Sequence, residues 1–438
     1  PHSFILSFDS NKIKRYPTPA MSAITGYPVI ADRTIREEEY YWIWQGRTGL
    51  SLYHPASEQI SFASDFPNDT GKYHIIKCIE KCRTQPGIWA ASGNACVVHL
   101  QHESMKMKCI QEIRIPDACQ VRVLHEDDQG NLWIGTENAI YQYSISDGNM
   151  RRIHKDTGAI NGIAISPDKA IYYITETPEF SCLPPDGQVH SIHKGENYSS
   201  IIISPDNKIW TATLEGNVYS YHPQLQTLAR EDNACNANGD AVKSMTVDNL
   251  GHLWILADQY VKEYNPKNHS FRILYNSDRF IQVDYFLSIG KIENGTICLG
   301  GIGAFCLATP SPELDQSPND IKPVISSIKT DGNRRIMGID TQLIELAPDN
   351  VNIELSFSTL EHLHAGQISY AYRLKGWDTN WNYLPPGINT AYFTKLPKGN
   401  YTLEIKATDI HGCWAQPVSC LQIHRLPAWY ETWWAYTL

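Results

Sequence analysis

One pattern recurs along most of this chain: a short apolar strand, an Asp- or Gly-containing turn, a strand built around a large side chain, then a strand ending in Tyr. The clearest copy is VRVLHEDDQGNLWIGTENAIYQY at residues 121–143. A second reads VKSMTVDNLGHLWILADQYVKEYNP at 242–266, and a third IIISPDNKIWTATLEGNVYSYHP at 201–223. Fainter copies are anchored on Trp42, Trp89, Tyr172 and Ile297. The seven anchors, at residues 42, 89, 133, 172, 210, 254 and 297, lie 38 to 47 residues apart. Such a period is that of a four-stranded propeller blade. The repeat therefore predicts an all-β chain that begins as a seven-bladed β-propeller.

Within the clearest copy the expected strands are A (121–126), B (131–137), C (139–145) and D (149–155). Asp-Gly and Pro-Asp pairs mark the A-to-B turns, where αL or type I backbone geometry favours those residues. Trp133, Trp210 and Trp254 fall on strand B and read as packing between blades. Residues 1–16 look like strands C and D of a blade that lacks A and B. They either close the ring, removing its open sheet edge, or are the remnant of an earlier blade.

The repeat stops after Leu307, and TPSPELDQSPNDIKP reads as a linker. The expected division is a propeller at 1–309, a linker at 310–321, an immunoglobulin-like β-sandwich at 322–426 and a juxtamembrane aromatic segment at 427–438. Six strand-like runs support the sandwich: PVISSIKTDG, NIELSFST, ISYAYRLKG, TAYFTKLPKG, NYTLEIKATDIHG and VSCLQIHRLP. Tyr370, Tyr372, Tyr392 and Tyr401 are expected to pack in its core or between its sheets. The final segment holds Trp429, Trp433 and Trp434, a clustering typical of a membrane interface. It suggests a transmembrane helix trimmed just beyond Leu438. No run of about 18 apolar residues and no leader pattern is present in the sequence as given.

The net charge of −10 and the lack of a basic stripe argue against a nucleic-acid partner. An acidic, aromatic-rich surface is compatible with neutral sugars or peptides. Eleven cysteines is an odd number, so at least one thiol is unpaired within the chain. Cys78 and Cys82 form C-x3-C without companion Cys or His residues at zinc-site spacing, so neither a metal nor another cofactor is expected.

The string DDQGNLWIGT at 127–136, with its weaker copies, resembles the two-component regulator propeller repeat. YRLKGWDTNWNY at 372–383 followed by YFTKLPKGNYTLEIKA at 392–407 resembles the Y_Y_Y domain. Propeller, Y_Y_Y domain and a Trp-rich junction, in that order, resemble the periplasmic region of Bacteroidetes hybrid two-component regulators. The resemblance implies a sensor for oligosaccharides in the periplasmic part of an inner-membrane protein. It further implies a single membrane helix, a cytoplasmic histidine kinase and a DNA-binding output. Members often carry two propellers ahead of the Y_Y_Y domain, where this chain shows one. A single-helix receptor also needs a partner to transmit a change, so a homodimer through the sandwich is expected.

The rival readings are a propeller glycoside hydrolase or lyase and a protein-binding scaffold. Asp128-Gln-Gly130-Asn-Leu-Trp133 fits the D-x-G-x-x-W turn of sialidase-like propellers, but that turn is structural there too. The sequence shows no paired catalytic carboxylates, G-x-S-x-G, H-E-x-x-H or P-loop, so no catalytic residue is assigned. Ligands usually enter propellers at the face formed by B-to-C and D-to-A loops. The candidate ligand contacts on the B-to-C side are Arg47, Glu137, Asn138, Glu176, Glu215, Asn217, Asp258, Gln259 and Tyr260. Tyr73, Tyr198 and the 232–240 segment are the D-to-A contribution. Carboxylates and amides around an aromatic ring can hydrogen-bond sugar hydroxyls.

Overall fold

The anchors of the repeat occupy the second strand of each of seven four-stranded antiparallel sheets. In the computed structural model the described residues are 13–17, 33–44, 50–54, 56–57, 59–62, 76–92, 95–116, 120–155, 158–231, 235, 237, 240–258, 260–275, 286–292, 295–302, 304–312, 322–338, 341–360, 368–385, 387–408, 414 and 418–431. The chain divides into two units, Pro1–His269 with Ile273–Ser311, and Ser270–Arg272 with Pro312–Leu438.

Strands B are buried along most or all of their length, wholly so in Ile88–Ser92, Ile171–Thr175 and Ile209–Thr213. Outer strands such as Met150–Lys155 and Thr227–Arg230 are largely open to solvent. This contrast explains the sequence pattern. A strand packed by neighbouring blades on both faces must be almost continuously apolar, whereas an outer strand alternates or is polar. Trp133, Trp210 and Trp254 retain only 7%, 2% and 0% of their accessible surface, as befits packing residues. The core lies between blades: Trp133 and Ile140 of blade 3 pack with Ile160, Ile163, Ile171 and Tyr173 of blade 4.

In blade 3 the strands are Val121–Glu126, Asn131–Thr136, Ala139–Ser144 and Met150–Lys155, within a residue of the expected bounds. The first strands of successive blades touch in order, and that of blade 7 touches that of blade 1. Closure also settles the alternative left open by the sequence. Ile13–Pro17 pairs antiparallel with Ala304–Ala308, with Arg15 opposite Cys306, and so supplies the outermost strand of blade 7. The third strand of that blade is its own.

The A-to-B turn of blade 3 shows why Asp recurs in the repeat. Asp127 Oδ1 accepts the amide N–H groups of Gln129 and Asn131, both at 2.9 Å, and Oδ2 accepts the indole N–H of Trp133 at 2.8 Å. One carboxylate thus forms the turn and holds the blade's anchor. Burial pushes the Asp127 carboxyl up, but the Trp133 and Asn131 donors outweigh it and hold the group below the ordinary carboxylate range. A carboxyl depressed in the folded state contributes stability above its unfolded pKa of about 3.9. That contribution is lost as pH falls through the folded value. Asp127→Asn is therefore expected to cost about 1–2 kcal/mol at neutral pH and to flatten the acid limb of the stability profile. Urea unfolding across that pH range checks it, and an unchanged acid limb would contradict the role.

The second unit is a β-sandwich. One sheet has the order Asn333–Ile336, Val324–Thr330, Asn352–Ser358, Thr390–Thr394. The other runs Leu343–Leu346, Ser419–Arg425, Gly399–Ala407, Tyr370–Lys375, Asn382–Tyr383. Every strand-like run found in the sequence forms a strand. Ile353, Leu355 and Phe357 point inward by simple alternation and pack with Tyr370, Phe393 and Leu403. Tyr370 and Tyr401 are buried and Tyr372 packs against the same core. Tyr392 departs from expectation. It lies between the inward Ala391 and Phe393, so the period of two turns it outward, and it is 67% exposed. Trp429–Glu431 forms a single 3-10 turn in which the Glu431 carboxylate accepts the Ala428 amide and an Arg425 N–H. Trp433 and Trp434 lie outside the described residues. Among those described, no helix is long and apolar enough to cross a membrane.

Candidate ligand-binding face

Antiparallel four-stranded blades put their A-to-B and C-to-D turns at one end of the ring and their B-to-C and D-to-A connections at the other. The predicted contacts therefore fall on one face. Arg47, Gln259 and Tyr73 lie outside the described residues, as does most of 232–240.

In blade 3, the Thr136 hydroxyl accepts the Ala139 N–H at 3.0 Å and donates to the Ala139 carbonyl at 2.9 Å. This short hydrogen-bonded turn presents Glu137 to solvent and leaves Asn138 half-buried. In blade 4 the exposed Glu176 pairs with Arg122 of blade 3 at 3.2 Å. In blade 5 Glu215 accepts an amide N–H from Asn197 at 2.7 Å. Asn217 donates to Glu196 at 3.2 Å and accepts from Arg230. Glu196 also accepts the Tyr219 hydroxyl at 2.9 Å. Burial, then that carboxylate, push the Tyr219 hydroxyl up to about 12, so the phenol remains a donor. The Asn197 amide is the main influence holding the exposed Glu215 carboxyl low, which keeps it a charged acceptor. In blade 6 Lys243 pairs with Asp258 at 3.0 Å. Asp240 carries a carboxyl raised by burial and by Asp258.

Tyr260 departs from the reading as a ligand contact. It begins strand C of blade 6, is 7% exposed, and donates its hydroxyl to the Ala237 carbonyl at 2.8 Å. It therefore holds the D-to-A segment. Tyr198 is likewise buried, with its hydroxyl against His193 Nδ1. The structure does not bring the B-to-C residues against one another. It ties Glu176, Glu215, Asn217 and Asp258 to residues where the chain enters the face: Arg122, Asn197, Glu196 and Lys243. None of these was singled out from sequence, although each lies at or just before a strand A, a position that aligning the repeats identifies.

Asp248, His252 and Glu263 are buried and bring one ligand atom each to within 4.8 Å of the others. Their protein partners account for this closeness. Asp248 accepts from Trp254 Nε1 at 2.8 Å and from the amides of Leu250 and His252. Glu263 accepts the Ser311 amide at 2.8 Å and lies 3.0 Å from His252 Nδ1. The group is the blade 6 form of the Asp127 turn, with His252 where blade 3 has Asn131. All nine described cysteines are free thiols. Burial, then Glu126, push the Cys82 thiol far up.

The two-component regulator propeller family matches residues 115–138, and the Y_Y_Y domain family matches residues 362–425. Histidine kinase P4 of Formosa agariphila is 23% identical over 335 residues, which are 73% of this chain and 22% of that protein. Two extracellular domains from B. thetaiotaomicron, ascribed to the hybrid two component systems BT3049 and BT4673, share the fold. The first has TM-score 0.58 at 19% identity over 94% of this chain and 58% of that one. The second has TM-score 0.53 at 17% identity over 95% and 60%. The chain thus spans under two thirds of these structures and about a fifth of the kinase. Residues 115–138 are similar to the two-component regulator propeller repeat and residues 362–425 to the Y_Y_Y domain, and in fold the chain resembles the extracellular domains of these two hybrid two component systems.

Proposed function

We propose that this chain is the ligand-sensing region of a transmembrane receptor of the hybrid two-component type, placed on the periplasmic side of the inner membrane. Its ligand is a small oligosaccharide read by the B-to-C and D-to-A face, without catalysis. The signal passes through the Y_Y_Y sandwich, which pairs with a second copy, to a membrane helix and a histidine kinase elsewhere in the whole protein. No cofactor takes part.

The observation that carries this reading is the disposition of Glu176, Glu215 and Asp258. In three successive blades a B-to-C carboxylate is held by an N–H donor or cation from the strand A side. Carboxylates fixed in this way present acceptors in a set geometry, which is what recognition of sugar hydroxyls requires. Each ion pair is exposed and contributes little to stability, so positioning accounts for it better than folding does. Arg122 and Lys243 offset two of these carboxylates, and Glu215 is held by the neutral Asn197 amide.

Calorimetric titration of the chain with an oligosaccharide library, with chromatography of the mixtures, tests this. Saturable heat with no new products is expected. Product formation would establish a glycosidase or lyase, and silence across the library would favour a protein-binding scaffold.

A further inference from the structure

We propose that a second, anion-selective site lies on the opposite end of the ring, in a cleft between blades 3 and 4, and takes a small carboxylated sugar. The sugar class rests on the reading above; the site itself does not. The cleft has a volume of about 500 Å³, within the range of pockets that enclose small molecules. Its floor is apolar, made by Trp133 and Ile171 with Leu183.

The charges around it are unequal in what they can offer. Asp127 lines the cleft, but its two oxygens are occupied by the N–H groups of Gln129, Asn131 and Trp133. Asp128 is paired with Arg83 at 2.7 Å. Two cations remain. Arg151, on the outer strand of blade 3, donates among the described residues only to the neutral Gln142 side chain, at 2.9 Å. Lys169, in the A-to-B turn of blade 4, has no partner among the described residues. One cation comes from each blade, and both line the same cleft, in a chain whose net charge is −10. A carboxylate between them gains two charge-assisted hydrogen bonds while its ring lies over the apolar floor.

The test is calorimetry with digalacturonate, cellobiose and the dipeptide Gly-Glu at millimolar concentration, on the full chain and on Arg151→Gln and Lys169→Asn. Digalacturonate alone should bind, more weakly as salt rises, and each variant should lose at least about tenfold in affinity. Lys169→Asn should melt no lower than the parent, which separates loss of the ligand contact from loss of fold. The loop-face variant Glu137→Ala/Glu215→Ala/Asp258→Ala should retain digalacturonate binding. No binding, equal binding of cellobiose, undiminished affinity in both variants, or loss in the loop-face variant would overturn the site. Preference for Gly-Glu would overturn the sugar assignment.

Discussion

Glu126→Ala is expected to destabilise the propeller by about 2–4 kcal/mol, because it leaves neutral donors of a neighbouring blade unsatisfied, at roughly 1–3 kcal/mol for a buried one. Glu126 ends strand A of blade 3 and has no accessible surface. Its Oε1 accepts the Thr84 amide at 2.9 Å and the Thr84 hydroxyl at 2.6 Å, and its Oε2 accepts the Trp89 indole N–H at 2.7 Å. Three donors of blade 2 are thus satisfied by one side chain of blade 3, and truncation orphans all of them, with Trp89 fully buried. Glu126→Gln keeps one acceptor oxygen and should lose less. Asp128→Ala, two residues on, serves as the control. Its side chain is 87% exposed and its pair with Arg83 is a surface one, so its effect should stay within about 0.5 kcal/mol. Guanidinium unfolding followed by Trp fluorescence ranks the three, and equal midpoints for Glu126→Ala and Asp128→Ala would contradict the inter-blade role.

Deleting residues 1–17 is expected to have a comparable or larger effect. Ile13–Pro17 is the outer strand of blade 7, paired along five residues with Ala304–Ala308. Without it, blade 7 keeps three strands and the ring acquires an open edge of unpaired N–H and C=O groups. A stability loss above about 4 kcal/mol is expected, the size of broken architecture rather than of one lost contact, together with concentration-dependent self-association. Size-exclusion chromatography and denaturant unfolding measure both. A monomer with the parent's midpoint would show that the N-terminal strand does not close the ring. Arg15→Cys supplies an independent check. Position 15 is opposite Cys306, and facing residues of an antiparallel pair lie about 4.5–5.5 Å apart at Cα, within disulfide reach. A 15–306 crosslink is expected on oxidation.

The propeller was legible because its blades share one physical solution. Strand B must be apolar on both faces, and in blades 3 and 6 an Asp makes the turn and holds the anchor's indole N–H. Where blade 4 replaces Trp by Tyr172, spacing alone found it. Three sandwich strands were not legible. Asn333–Ile336 is exposed throughout, Asn382–Tyr383 is only two residues long, and Leu343–Leu346 pairs in parallel with a strand far along the chain. The first two give no local hydrophobic signal, and the LIEL alternation of the third is too short to mark a strand without its distant partner. Tyr392 was misplaced because composition counted it among the core aromatics, where alternation turned it outward.

The candidate face was half legible. Topology put Glu137, Glu176, Glu215 and Asp258 at one end of the ring, yet Arg122, Asn197 and Lys243, the partners of the last three, are set by how strand A entries meet B-to-C turns. No single-segment motif records that meeting. The cleft between blades 3 and 4 was invisible for the same reason, since its walls come from Arg151 and Lys169 on different blades. Tyr260 was legible by position but not in its burial, which depends on the Ala237 carbonyl that holds its hydroxyl.

The loop face is tested most directly by measuring the strongest neutral binder from the oligosaccharide library against the parent and against Glu137→Ala/Glu215→Ala/Asp258→Ala. All three replaced residues are exposed or half-buried, so the variant should fold as the parent does and lose measurable binding. Parent-like affinity in a folded triple variant would contradict the assignment of ligand reading to this face.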